Sequence, residues 1–178
     1  MRATFKHAAL ALALALPLQS AAAAATTSAC LTPREIKSVV AFAMPSVLTG
    51  VIDHCSAAVP SDGFMRRNGP ALIASYAQGK QAAWPVARQA FFKLAGDKDK
   101  STVDMVAGMP DAALQPFVEG MIGGMIGQKL KPGQCVMADN LMRLLSPLPA
   151  SNTVELVGIL AGMAGDEQKP GSLPICKS

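Results

Sequence analysis

Between residues 31 and 165 apolar side chains return at every third or fourth position. Outside those runs no stretch of four or more residues alternates convincingly between apolar and polar. A recurrence of three to four marks helices with one face toward a core, whereas a half-buried strand would alternate at every second residue. The pattern predicts an all-α fold, a compact bundle of about six to seven short helices.

The sharpest local signal is Leu31-Thr-Pro-Arg-Glu35. Thr32 can cap, Glu35 can reach back to it three residues later, and Pro33 suits the first helical position, where no N–H is needed. A helix therefore starts at Pro33. Pro45 is expected to interrupt it, because an interior proline lacks the N–H donor and crowds the carbonyl four residues earlier. Two short helices follow, 33–43 and 45–56. Ser61-Asp62 reads as the cap of a third segment, bent at Gly69-Pro70. Trp84, Ala87, Phe91 and Leu94 share one face of a fourth helix over 81–95. A polar link at 96–101 leads to a short helix at 102–107. A long glycine-bearing helix opens at Asp111, and the last two helices cover 135–145 and 152–164. Prolines and glycine make 165–178 an irregular tail.

The glycine-bearing segment contains Gly120-Met-Ile-Gly-Gly-Met-Ile-Gly127. At about 100° per residue, Leu114, Phe117, Val118, Met121, Ile122 and Met125 fall on one broad face, and Gly120, Gly123, Gly124 and Gly127 gather nearly opposite. Four interior glycines cost about 1 kcal/mol each relative to alanine, which close backbone approach of a neighbouring element must offset. The expectation is a central, enclosed helix in which Met121 and Met125 fill core or line an apolar binding site. Leucine at Gly123 or Gly124 should then overpack. The two overlapping G-x-x-x-G spacings also suit a membrane dimer, but Asp111, Pro116, Glu119, Gln128 and Lys129 leave too short an uninterrupted apolar length.

The first thirty residues change the picture of location. Arg2, Lys6 and His7 precede an apolar run from Ala8 to Leu18, and alanines satisfying an A-x-A pattern follow. That is the form of a secretory signal peptide, 1–25, with a single helical domain at 26–178. Thr27-Ser28-Ala29-Cys30 is a poor lipobox, since Thr27 stands where an aliphatic residue is usual and Cys30 lies far beyond Leu18. Loss of the leader takes two of the 16 basic residues, against 12 acidic ones, so the mature net charge is about +2. With no basic cluster larger than Arg66-Arg67, neither nucleic acid nor a polybasic membrane patch is indicated. No membrane-spanning segment is expected, and the location is periplasmic or secreted.

Cys30, Cys55, Cys135 and Cys176 all lie in the exported part, widely spaced and without a C-x-x-C, which reads as two structural disulfides. If Pro45 turns the first run into a hairpin, Cys30 meets Cys55, and the tail brings Cys176 to Cys135. A continuous helix from 33 to 55 would instead hold Cys30 and Cys55 about 30 Å apart and favour Cys30–Cys176 with Cys55–Cys135.

Candidate chemistry is sparse. His54 is the mature chain's sole histidine, in Asp53-His54-Cys55, but no G-x-S-x-G elbow supplies a nucleophile. It reads as a polar helix residue beside a disulfide. Asp97, Asp99 and Ser101 imitate a calcium loop, yet Thr102 replaces the turn glycine and Gly108 the bidentate glutamate. The methionines, among them Met105 with Met109, Met121 with Met125 and Met137 with Met142, could offer thioethers to Cu(I), although helical periodicity explains them as core. No metal site or cofactor is assigned. The expected function is non-catalytic binding of an apolar ligand or a protein partner. The alternatives are a methionine-based Cu(I)-handling protein and a hydrolase centred on His54.

Overall fold

A computed structural model describes residues 30–96, 100–165 and 174–176. Among them the chain forms α1 (Pro33–Cys55), α2 (Phe64–Ala77), α3 (Lys80–Gly96), α4 (Lys100–Ala107), α5 (Asp111–Lys129), a 3-10 turn (Pro132–Gln134), α6 (Cys135–Leu145) and α7 (Ala150–Gly165). The fold is all-α, as the periodicity requires. The signal peptide at 1–25, the acidic pair of the calcium-like link and most of the tail lie outside the described residues.

The Thr32–Glu35 capping box forms as predicted: the Thr32 N–H donates to Glu35 at 2.7 Å, and the Glu35 N–H donates to Thr32 Oγ1 at 3.3 Å. What does not happen is the break at Pro45. α1 runs unbroken for 23 residues with Pro45 buried inside it, and α2, α3, α5 and α7 all pack against it. An interior proline costs about 3 kcal/mol, which burial of both flanks outweighs here. Pro70, Pro85 and Pro116 likewise sit inside continuous helices.

Continuity of α1 overturns the local disulfide pairing. At about 1.5 Å per residue the helix carries Cys55 more than 30 Å from Cys30. Cys30 pairs instead with Cys176 and Cys55 with Cys135, at Cα separations of 4.9 and 5.2 Å. The hairpin expected at Pro45 therefore does not form. A parallel bridge brings the chain ends together, with the Leu31 N–H donating to the Pro174 carbonyl at 2.7 Å and the Cys176 N–H to the Leu31 carbonyl at 3.0 Å.

Phe42, Trp84, Ala87, Leu114 and Val118 form one core cluster, with the Phe42 and Trp84 ring centroids 4.7 Å apart. Leu48, Cys55, Met65, Tyr76 and Cys135 anchor a second cluster. The N-terminus of α2 is not capped by Ser61-Asp62. Asp139 on α6 does that from outside, accepting from the Phe64 and Met65 N–H groups at 3.1 and 2.7 Å.

α5 crosses α1 with backbone almost touching backbone. A Cβ at Gly50 would collide with the Gly123 carbonyl oxygen and lie 3.0 Å from its carbon and Cα. A Cβ at Gly123 would lie 3.4 Å from the Ser46 carbonyl oxygen, and one at Gly127 would lie 3.8 Å from that of Gly50. The required close approach is thus found, at a partner glycine in α1. α5 is not enclosed, however: Leu114 and Val118 are buried, but Phe117, Met121 and Met125 are 44%, 40% and 50% exposed. Its buried arc is centred on Ile122, Ile126 and Gly123, about a quarter-turn from the face of highest hydrophobicity. Met121 and Met125 are therefore surface residues, not core.

The same substitution should have opposite signs at two glycines. Gly50→Ala forces α1 and α5 apart and should cost on the order of 1–3 kcal/mol in denaturant unfolding. Gly124→Ala meets nothing within 4 Å and should stabilise by about 0.5–1 kcal/mol.

A second prediction concerns Glu35, which lies 3.0 Å from the Lys93 ammonium. Desolvation raises its pKa, but the Thr32 N–H, Lys93 and the Thr32 hydroxyl outweigh that and hold it below the ordinary 4.5. A carboxylate depressed in the folded state contributes stability that is whole above its unfolded pKa and lost as pH falls through the folded one. The stability advantage over Glu35→Gln should be constant down to about pH 4.5 and shrink below it. Unfolding curves across that range measure it.

Candidate functional site

Where α1 and α5 touch through glycine, side chains are missing and a groove of about 730 Å³ remains, open to solvent. Gly50, Gly120, Gly123, Gly124 and Gly127 floor it. Ser46, Thr49, Asp53 and His54 rise from α1, and Glu119 and Gln128 from α5. The sequence signal for this groove was the four-glycine run itself, but its partner, Gly50, has no comparable pattern around it.

The predicted site residues divide within the groove. Gly123 lies in the seam, whereas Gly124 and Gly120 have nothing within 4 Å of a built Cβ and present bare backbone outward. The expectation that leucine at Gly124 overpacks the core is therefore corrected. Helical geometry puts Phe117, Met121 and Met125 on the exposed face next to Gly120 and Gly124, so an apolar row borders the groove along α5. Cys55 and Cys135 are fully buried and structural.

Two of the polar side chains are committed elsewhere. The Thr49 hydroxyl donates to the Pro45 carbonyl at 2.9 Å, and Glu119 accepts from Lys80 at 2.9 Å. Ser46 shares the groove with His54 but sits eight residues away on the same helix, about 12 Å along its axis. Within the groove neither Ser46 nor the committed Thr49 is therefore placed as a nucleophile for His54. Among the described residues no group of three His, Cys, Asp or Glu side chains could hold a metal ion.

Two further hollows flank α7. One, of about 670 Å³, has Ile36, Ile159, Met163 and Ile175 in its walls, and the other, of about 480 Å³, has Ala41, Tyr76 and Val154. The sequence reading also missed that α6 and α7 turn apolar side chains outward. The signal was available in 150–165, where Glu155 is the one charged residue and no polar face opposes the core. By length and apolar composition alone α1 could cross a membrane. In this fold it is the helix around which the others pack.

Comparison with protein-family models, with curated proteins and with solved structures finds no match to this chain.

If the methionine row is surface, polar replacement there should be tolerated. Met121→Gln and Met125→Gln should each leave unfolding free energy within about 0.5 kcal/mol of wild type. Met142→Gln, at a site 6% exposed, should destabilise by about 1–3 kcal/mol.

Proposed function

We propose that this chain is an exported, non-catalytic helical protein that docks the apolar face of a partner protein's helix along α5, over the groove at Gly120 and Gly124. The observation that carries the reading is the exposure of Phe117, Met121 and Met125 beside a floor of bare backbone. Apolar anchors at i, i+4 and i+8 next to a shallow channel suit helix-in-groove recognition. Methionine adapts its unbranched side chain to an irregular partner surface. Gly120, Gly124, Asp53, His54 and Gln128 are all exposed, so a small ligand would remain largely wet in so open a site. A helix about 10 Å across, laid along it, would cover the row. Export is supported by the leader-like sequence at 1–25 and by the pairing of all four cysteines. The same two features support a periplasmic or secreted location.

A photo-crosslinking residue at 121 or 125, in the exporting cell, should give one discrete adduct with a polypeptide. Gly124→Leu, which fills the channel without touching the seam, should abolish it. Adducts no stronger than those from position 105, on α4 and 72% exposed, would defeat the proposal. A second reading draws on the same exposure: Met121 and Met125 lie one turn apart with their thioethers open to solvent, as a Cu(I) site would need. Competition titration separates the two, since copper handling requires Cu(I) affinity that Met121→Leu and Met125→Leu remove.

A further inference from the structure

α6 and α7 carry an apolar surface of their own, whose edge at Ile159 and Met163 reaches the hollow beside Ile36 of α1. Met137, Leu141 and Leu144 project from α6 at 57%, 50% and 62% exposure. Leu148, 43% exposed, extends the row through the turn. Their spacing of four, three and four residues is that of a heptad seam. On α7 Leu156, Leu160 and Met163 repeat the four-three step, and Ile159 widens it, all between 43% and 68% exposed. The opposite faces of both helices are the ones already used: Cys135 and Met142 pack into the core beneath α6, and Val154 beneath α7.

The two helices follow one another along α1. Cys135 is tied to Cys55 at the C-terminal end of α1, and Gly158 lies against Lys37 near its N-terminal end, 3.8 Å from a built Cβ to the Lys37 Cα. The rows thus form one extended strip hinged at Leu148. At roughly 100 Å² for each half-exposed large side chain, the eight of them approach the ~800 Å² per partner of a standard interface, and exceed the ~300–600 Å² patch usual on a monomer. The charged residues on the two outward faces are Arg143 on α6 and Glu155 on α7, the latter in an exposed pair with Lys37 at 3.2 Å. They stand six residues either side of Pro149, one of each sign. A two-fold axis near the turn lays α6 of one copy on α7 of the other and brings Arg143 toward Glu155 of the second copy, twice. Such self-complementarity is what an isologous interface needs.

We infer that the α6–α7 strip pairs with a second copy of this chain, making a two-fold dimer independent of the α5 groove. Sedimentation velocity on the disulfide-bonded mature protein at micromolar concentration should show a dimer. Leu160→Arg and Leu144→Arg, both at exposed positions, should each weaken dimerisation by roughly 100-fold or more while the far-ultraviolet circular dichroism is unchanged. Arg143→Glu should weaken it too, and Glu155→Arg added to it should restore it, a rescue that loss of apolar area alone would not give. A monomeric wild type at about 100 µM, or charge variants as tightly paired as wild type, would overturn the inference. A monomer that sediments with phosphatidylglycerol vesicles, and loses that with Leu160→Arg, would assign the strip to a lipid surface and equally overturn it.

Discussion

The passage of α1 through Pro45 without a break is the constraint on which the rest of the molecule depends. A single continuous element more than 30 Å long offers packing surface along its length, and α2, α3, α5 and α7 all use it. Had the chain turned at Pro45, Gly50 would not face Gly123, and Cys55 would not stand at the far end to meet Cys135. The proline is accommodated because no alternative buries as much: Phe42, Ser46 and Leu48 on either side of it are all in the interior. The Thr49 hydroxyl, donating to the Pro45 carbonyl, adds a local hydrogen bond within the same turn.

The seam between α1 and α5 also explains why α5 wears its hydrophobicity on the wrong side. Once glycine faces glycine, the helix is rotated by that contact, and the methionine row is carried outward whatever its apolar character. Close backbone approach and an exposed apolar edge are two results of one geometric choice. A docking function at this edge would use surface that the fold itself could not bury.

What was legible in the sequence was local. The capping box at Thr32 and Glu35, the apolar face of α3 through Trp84 and Ala87, and the all-α class follow from spacing within a few residues. The need for a close-packed neighbour behind the glycine run was also readable. What was not legible was relational: Pro45 has the same chemistry in a broken helix as in a continuous one, and only the flanking helices decide. Asp139 capping α2 across 74 residues, and Gly50 opposite Gly123, leave no signature near either member. The exposure of Met121 and Met125 was hidden for a different reason. Periodicity identifies an apolar face but not whether anything covers it.

The disulfides are nested, the first cysteine joined to the last and the second to the third. A chain that meets an oxidant amino-terminus first presents Cys30 and Cys55 together long before Cys135 or Cys176 is available, and the quickest bond would be the wrong one. The folded chain excludes that bond, because the 23-residue α1 holds the two positions more than 30 Å apart. Chain entropy alone favours closing the inner loop of 80 residues, Cys55–Cys135, over the outer one of 146, Cys30–Cys176.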